Sequence, residues 1–172
     1  MLKRYTKLLL VFFLIFSSCI FEDDLLRNPR EDYLGDNIYI EGFYYTYFEG
    51  KIRRILFLYR NGICFRVYGD GKDRTTPEEA ETLLTENHLK WLITDKECWG
   101  IYIIKDHNIL LESWMNTHGD HHSVVETGEI LNDTTFIITK RDHNLSGISS
   151  VNYTYHFYPY SPKPDSMNIF IE

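Results

Sequence analysis

From Ile38 onward the chain alternates short runs of Tyr, Phe, Ile and Val with turn-forming pairs, and this rhythm is what most constrains its fold. Runs rich in aromatic and β-branched residues, bounded by Gly, Asn, Asp and Pro, read as strands. They fall at 39–48, 52–59, 63–68, 99–105, 109–115, 123–131, 134–141 and 153–158. Glu49-Gly50, Asn61-Gly62 and Asn132-Asp133 join neighbours as tight hairpins, the Asn-Gly pair by a type I′ turn. Residues 142–152 read as a polar loop. Pro159, Pro162 and Pro164 exclude regular structure beyond the last clear strand, although 168–171 could add a short edge strand. One helix interrupts the series: Thr76 supplies a hydroxyl N-cap, Pro77 the first position and Glu79 the capping-box acid. Ala80, Leu83, Leu84 and Trp91 continue it as an apolar stripe expected to pack on the sheet.

The expected fold class is therefore all-β, an antiparallel meander. About eight strands joined by short turns leave two edges exposed unless the sheet closes, so an eight-stranded barrel with one inserted helix is the expected architecture, with an open sheet or a sandwich as the alternatives. Such a barrel has room inside only for filling side chains or one small molecule.

The N-terminus carries a different kind of information. Lys3, Arg4 and Lys7 precede an apolar run over 8–16, followed by Ser17, Ser18 and Cys19. A basic stretch, a nine-residue apolar segment and small residues before a break describe a secretory signal. The run is too short for a bilayer span, which needs about 20 apolar residues. Residues 1–18 are thus expected to be a signal peptide, 19–37 a flexible tether and 38–172 the β-domain. Fully extended, residues 20–37 reach roughly 60 Å. Removing residues 1–18 takes away three cations and no acids, moving the formal charge from −7 to −10. A domain this acidic repels phosphate backbones, so nucleic acid is not an expected partner.

Phe16-Ser17-Ser18-Cys19 resembles a bacterial lipobox. The resemblance implies a diacylglycerol and an N-acyl chain on Cys19, a membrane attachment made by lipid alone, and residence at the outer membrane. Glu22-Asp23-Asp24 resembles the acidic signal that sends some lipoproteins to the cell surface. Further along, Glu41-Gly42-Phe43-Tyr44, Cys98-Trp99-Gly100-Ile101-Tyr102, the segment 108–114 and the segment 129–136 are similar to uncharacterised lipocalin-like lipoproteins. That resemblance implies a barrel and a location, and no reaction. The chain differs from true lipocalins in placing the helix after the third strand.

Candidate sites follow from residue chemistry. His118, Asp120, His121 and His122 crowd one expected loop and carry ligand types suited to Zn²⁺, which would support a metal-binding protein or a metal-dependent hydrolase. The usual spacings of catalytic motifs are missing from the chain, so an enzyme is the minority expectation. Tyr44, Tyr45, Tyr47 and Tyr59 give the first two strands an aromatic surface suited to a small molecule, a glycan or an envelope protein. Cys64 and Cys98 could form a disulfide in an exported chain. The leading expectation is a lipid-anchored, non-enzymatic binding module. A structural or inhibitory subunit of an envelope complex stands behind it.

Overall fold

A computed structural model describes residues 23–144 and 146–172. Eight antiparallel strands close into a barrel in simple chain order: β1 Gly42–Phe48, β2 Lys51–Leu58, β3 Ile63–Tyr68, β4 Trp99–Lys105, β5 Asn108–Thr117, β6 Asp120–Asn132, β7 Thr135–His143 and β8 Gly147–Pro159. β1 seals the barrel against β8 in the register Tyr44 to Phe157 and Thr46 to Tyr155. The expected closure is what the chain adopts, and every strand of the barrel is thereby paired on both sides.

Turn chemistry divides the hairpins. Glu49 and Gly50 both have positive φ, as a type I′ turn requires. The Asn61-Gly62 hairpin is not of that type. Only Gly62 has positive φ, and its N–H donates to the Tyr59 carbonyl, which makes a three-residue connection with a left-handed last residue. Gly62 is needed twice over, because a Cβ there would lie 2.1 Å from the carbonyl oxygen of Glu31, which passes over the turn.

The region expected to be a loop at 142–152 is instead the tip of a long hairpin: β7 runs to His143 and β8 starts at Gly147. Polar residues form strand here because β6, β7 and β8 extend each other's ladders past the core, and the solvent-facing positions then need no apolar side chain. No strand forms at 168–171. The tail folds back on the outer wall with Tyr160, Phe170 and Ile171 packed on it.

Between β3 and β4 the single expected helix is two. α1, Pro77–Ala80, has the full capping box, with Thr76 and Glu79 exchanging hydrogen bonds. A 3-10 turn at Glu81–Leu83 ends it, and Thr85 caps a second helix, α2, Glu86–Ile93. The restart at Thr85 changes the helical phase. Ala80, Leu83 and Leu84 remain buried, but Trp91 is turned out and is 79% exposed.

Two apolar clusters lie on opposite sides of the wall. The inner one holds Tyr44, Leu56, Leu58, Cys64, Tyr102, Leu111, Phe136, Ile138 and Tyr155. The outer one holds Phe43, Ile55, Phe57, Phe65 and Trp99, covered by the helices and the C-terminal tail. This second layer explains why β2 and β3 are apolar at consecutive positions: both of their faces are buried.

The segment expected as a free tether is a strap. At the β5–β6 end of the barrel Asp23 pairs with Lys96 and His121, and Asp24 accepts from the Ser123 N–H. Midway, the buried Glu112 carboxylate accepts from the Arg27 N–H at 2.6 Å, the Asn28 N–H at 3.0 Å, the Asn28 amide at 2.8 Å and the Ser123 hydroxyl. At the far end Tyr33, Ile38 and Ile40 enter the inner cluster and close the barrel. The expectation failed because these anchoring side chains are scattered and without periodicity, while their partners lie roughly 70 to 100 positions downstream.

Candidate functional site

With one end filled by Tyr33, Ile38 and Ile40, the barrel's remaining end is the one where β1 meets β2, β5 meets β6 and β7 meets β8. Strand alternation directs Arg54 of β2, Arg66 of β3, Glu126 of β6 and Arg141 of β7 inward at this end. On β7 a register shift between Ile138 and Lys140 sets the phase so that Arg141 faces Glu126, its cross-strand partner. On β6 the companion irregularity falls at Gly128, where a Cβ would meet the Ile137 carbonyl oxygen at 1.8 Å.

The Glu126 side chain is 1% exposed and sits among all three guanidiniums. Arg66 Nη2 donates to Oε2 at 3.0 Å. Arg141 Nε donates to Oε1 at 2.9 Å, its Nη2 donates to the same oxygen, and Arg54 Nη1 lies 3.4 Å from it. Burial pushes the carboxyl's pKa up, but the Arg66, Arg54 and Arg141 charges outweigh burial and hold it down to about 2. Burial likewise opposes the charge on Arg66, and Glu126 more than restores it, so that its pKa lies above the ordinary arginine value. Arg66 also donates through Nη1 to the Ser113 hydroxyl. Arg54 and Arg141 both stack over the Tyr153 ring, the first at 5.2 Å and the second at 5.3 Å from its centroid.

Around this cluster lies a cavity of about 80 Å³, lined by Arg54, Arg66, Ser113, Glu126, Arg141 and His143 among others, with Glu97 at its rim. A second, more apolar hollow of about 140 Å³ continues from it past Met115, Val124 and His143. Several buried polar atoms here have no hydrogen-bond partner among the described residues: Arg66 Nε, His143 Nδ1 and, in the same layer of the wall as Arg54 and Tyr155, Thr46 Oγ1. Native interiors pair the great majority of such atoms, so their gathering around one cluster of charges is unusual. A larger hollow of about 400 Å³ lies against β4–β7, lined by Lys105, Glu129 and Lys140, and among the described residues no unpartnered buried atom belongs to it.

The residues singled out by sequence are placed elsewhere. Tyr44 and Tyr59 are buried, and their hydroxyls donate to the carbonyls of Tyr39 and Pro164. Tyr45 packs between Phe43, Tyr47 and His156. Of the four, only Tyr47 is substantially open, at 41%. They do not form a shared contact surface, because Tyr44 turns into the barrel while Tyr45 and Tyr59 are covered in the outer cluster, where the helices and the tail also pack.

His118, Asp120, His121 and His122 are not gathered either. β6 begins at Asp120, so His121 and His122 point to opposite faces of one strand. His121 Nδ1 is 3.0 Å from Asp23, and among the described residues no three metal-donor side chains converge. Cys64 and Cys98 are both free. Cys64 faces the barrel interior and Cys98 the outer cluster, so the wall stands between them. Burial raises both thiols, to about 11 and about 12. Cys19 lies outside the described residues.

No family model, no curated protein and no solved structure matches the chain.

Proposed function

We propose that the chain is a lipid-anchored, non-enzymatic binding module of the bacterial outer membrane, and that its ligand site is the open, arginine-lined end of the barrel. The observation that carries the binding half is asymmetry: one end is packed with Tyr33, Ile38 and Ile40, while the other surrounds a cavity with buried charges and unpartnered polar atoms. Stability alone does not account for four ionic side chains inside a barrel, since well-packed apolar residues are often equally or more stable there.

The anchor half rests on the basic, apolar and small-residue order that ends in Cys19. Two or more acyl chains hold a protein on a bilayer durably, at about 0.8 kcal/mol per buried CH₂. The strap adds a geometric consequence. Asp23 is fixed at the open end by Lys96 and His121. Only the short stretch from Cys19 to Asp23 then separates the anchor from the barrel, a reach of about 14 Å when fully extended. An acylated Cys19 therefore holds the open end close to the membrane surface and does not let the domain roam on a long tether. Labelled palmitate should enter the full chain expressed in a Gram-negative host, and Cys19→Ala should abolish both the label and membrane fractionation. An unlabelled wild type, or a variant that fractionates like it, contradicts the anchor.

A further inference from the structure

The ligand class can be read from the donor count at the open end, on the premise that this end is the ligand site. Each guanidinium carries five N–H donors and no acceptor. Glu126 offers two oxygens, and both are already taken, Oε2 by Arg66 and Oε1 by Arg54 and Arg141. Apart from the Ser113 hydroxyl and the Tyr155 hydroxyl, no other acceptor among the described residues engages these three side chains. Most of their donors are left over, and Arg66 Nε is one that is both buried and without a partner among the described residues.

The charge count agrees. Three arginines face one buried glutamate, and adding Glu97 at the rim, whose Oε1 accepts from the Asn116 N–H, still leaves one positive charge in excess. This excess sits inside a domain whose formal charge is strongly negative. The cavity measures about 80 Å³. A water occupies about 30 Å³ in the liquid, so there is room for a head group of a few heavy atoms. Planar guanidiniums match the paired oxygens of carboxylate and phosphate.

We infer that the open end is an oxyanion site, in which Arg54, Arg66 and Arg141 bind the carboxylate or phosphate head of a ligand whose remaining, less polar part lies along Met115 and Val124. Glu126 holds the three guanidiniums in position and neutralises one of them, so that the site is cationic without being a bare cluster of like charges. Thr46 supplies a hydroxyl from the same layer of the wall.

The arginine side-chain N–H signals of the full chain in detergent read the site directly. Acetate, inorganic phosphate and acetamide serve as probes, acetamide being the neutral counterpart of acetate. Acetate or phosphate should shift the Arg66 and Arg54 signals saturably, with acetamide at least about tenfold weaker, and Arg54→Gln should weaken the anions by a similar factor. Stronger binding of phosphate than of acetate identifies a phosphate head, and the reverse a carboxylate. If acetamide shifts the signals as well as acetate does, the end binds ligands but not as an oxyanion site, and the inference is overturned while the binding-module reading stands. If none of the probes shifts them in the wild type, the oxyanion inference is overturned.

Discussion

Replacing Glu126 with Gln removes the one negative charge that three inward guanidiniums share. The Glu126 side chain is 1% exposed and that of Arg66 6%, so Arg66 cannot turn to water when its partner is neutralised. Arg54 and Arg141, at 23% and 19%, can partly do so. Removing one partner of a buried ion pair costs about 3–5 kcal/mol, and because two of the three cations can relax, the lower end applies, about 3 kcal/mol. For a domain of this size each kcal/mol moves Tm by about 2–4 °C, which gives a fall of about 6–12 °C. Urea is the suitable denaturant because it is uncharged and leaves the ion pairs unscreened. Trp99 and Trp114, both buried, report unfolding by fluorescence. A loss below about 1 kcal/mol, the range of exposed ion pairs, would refute the view that the cluster is desolvated and mutually dependent.

Three further outcomes follow from the same geometry. Glu112→Ala deletes the acceptor of three hydrogen bonds from Arg27 and Asn28, so limited proteolysis should cut within 24–32 far faster than in wild type; equal protection would mean that the strap is held by other contacts. Cys64 and Cys98 should each take up one equivalent of an alkylating reagent, but only after unfolding, since both are buried with raised pKa values; a mass unchanged by alkylation of the unfolded, unreduced chain would indicate a disulfide. Acid should destabilise the fold in a defined window. Glu126 and Asp23 each have a folded pKa of about 2. These lie below unfolded values of about 4.3 and 3.9. Stability they contribute is therefore present above about pH 5 and lost as the pH falls toward about 2. Tm measured across that range should fall, and less steeply in Glu126→Gln; identical profiles for the two proteins would contradict the assignment.

Much of the barrel was legible because its signals are local. Runs such as Ile63–Tyr68 and pairs such as Glu49-Gly50 carry their structure within a few residues. What was missed depends on distant partners. The strap is fixed by Glu112 and Ser123, far along the chain from Asp24 and Arg27, and Trp91 left the helical stripe because Thr85 offered a second cap. Tyr44 and Tyr59 looked like a surface because nothing local reveals that tail residues such as Pro164 return to cover the wall, or that Tyr44 turns into the barrel.

The arginine cluster had a partial signal. Arg66 stands between Phe65 and Val67, on the face that also carries Cys64 in the barrel interior. A cation in the middle of an otherwise buried strand implies a partner inside, but its identity, Glu126, and the inward turn of Arg141 depend on closure and on the β7 register shift. The histidines of 118–122 made the opposite error attractive, because adjacency in sequence suggested convergence that strand alternation forbids.

Crystals of the protein grown with and without phosphate decide whether the open end is a cationic ligand site. Crystals grown with phosphate should show tetrahedral density within hydrogen-bonding distance of Arg66 and of Arg54 or Arg141, with Glu126 still seated among them. Guanidiniums swung out to solvent, or the cavity filled by side chains in both crystals, would contradict it.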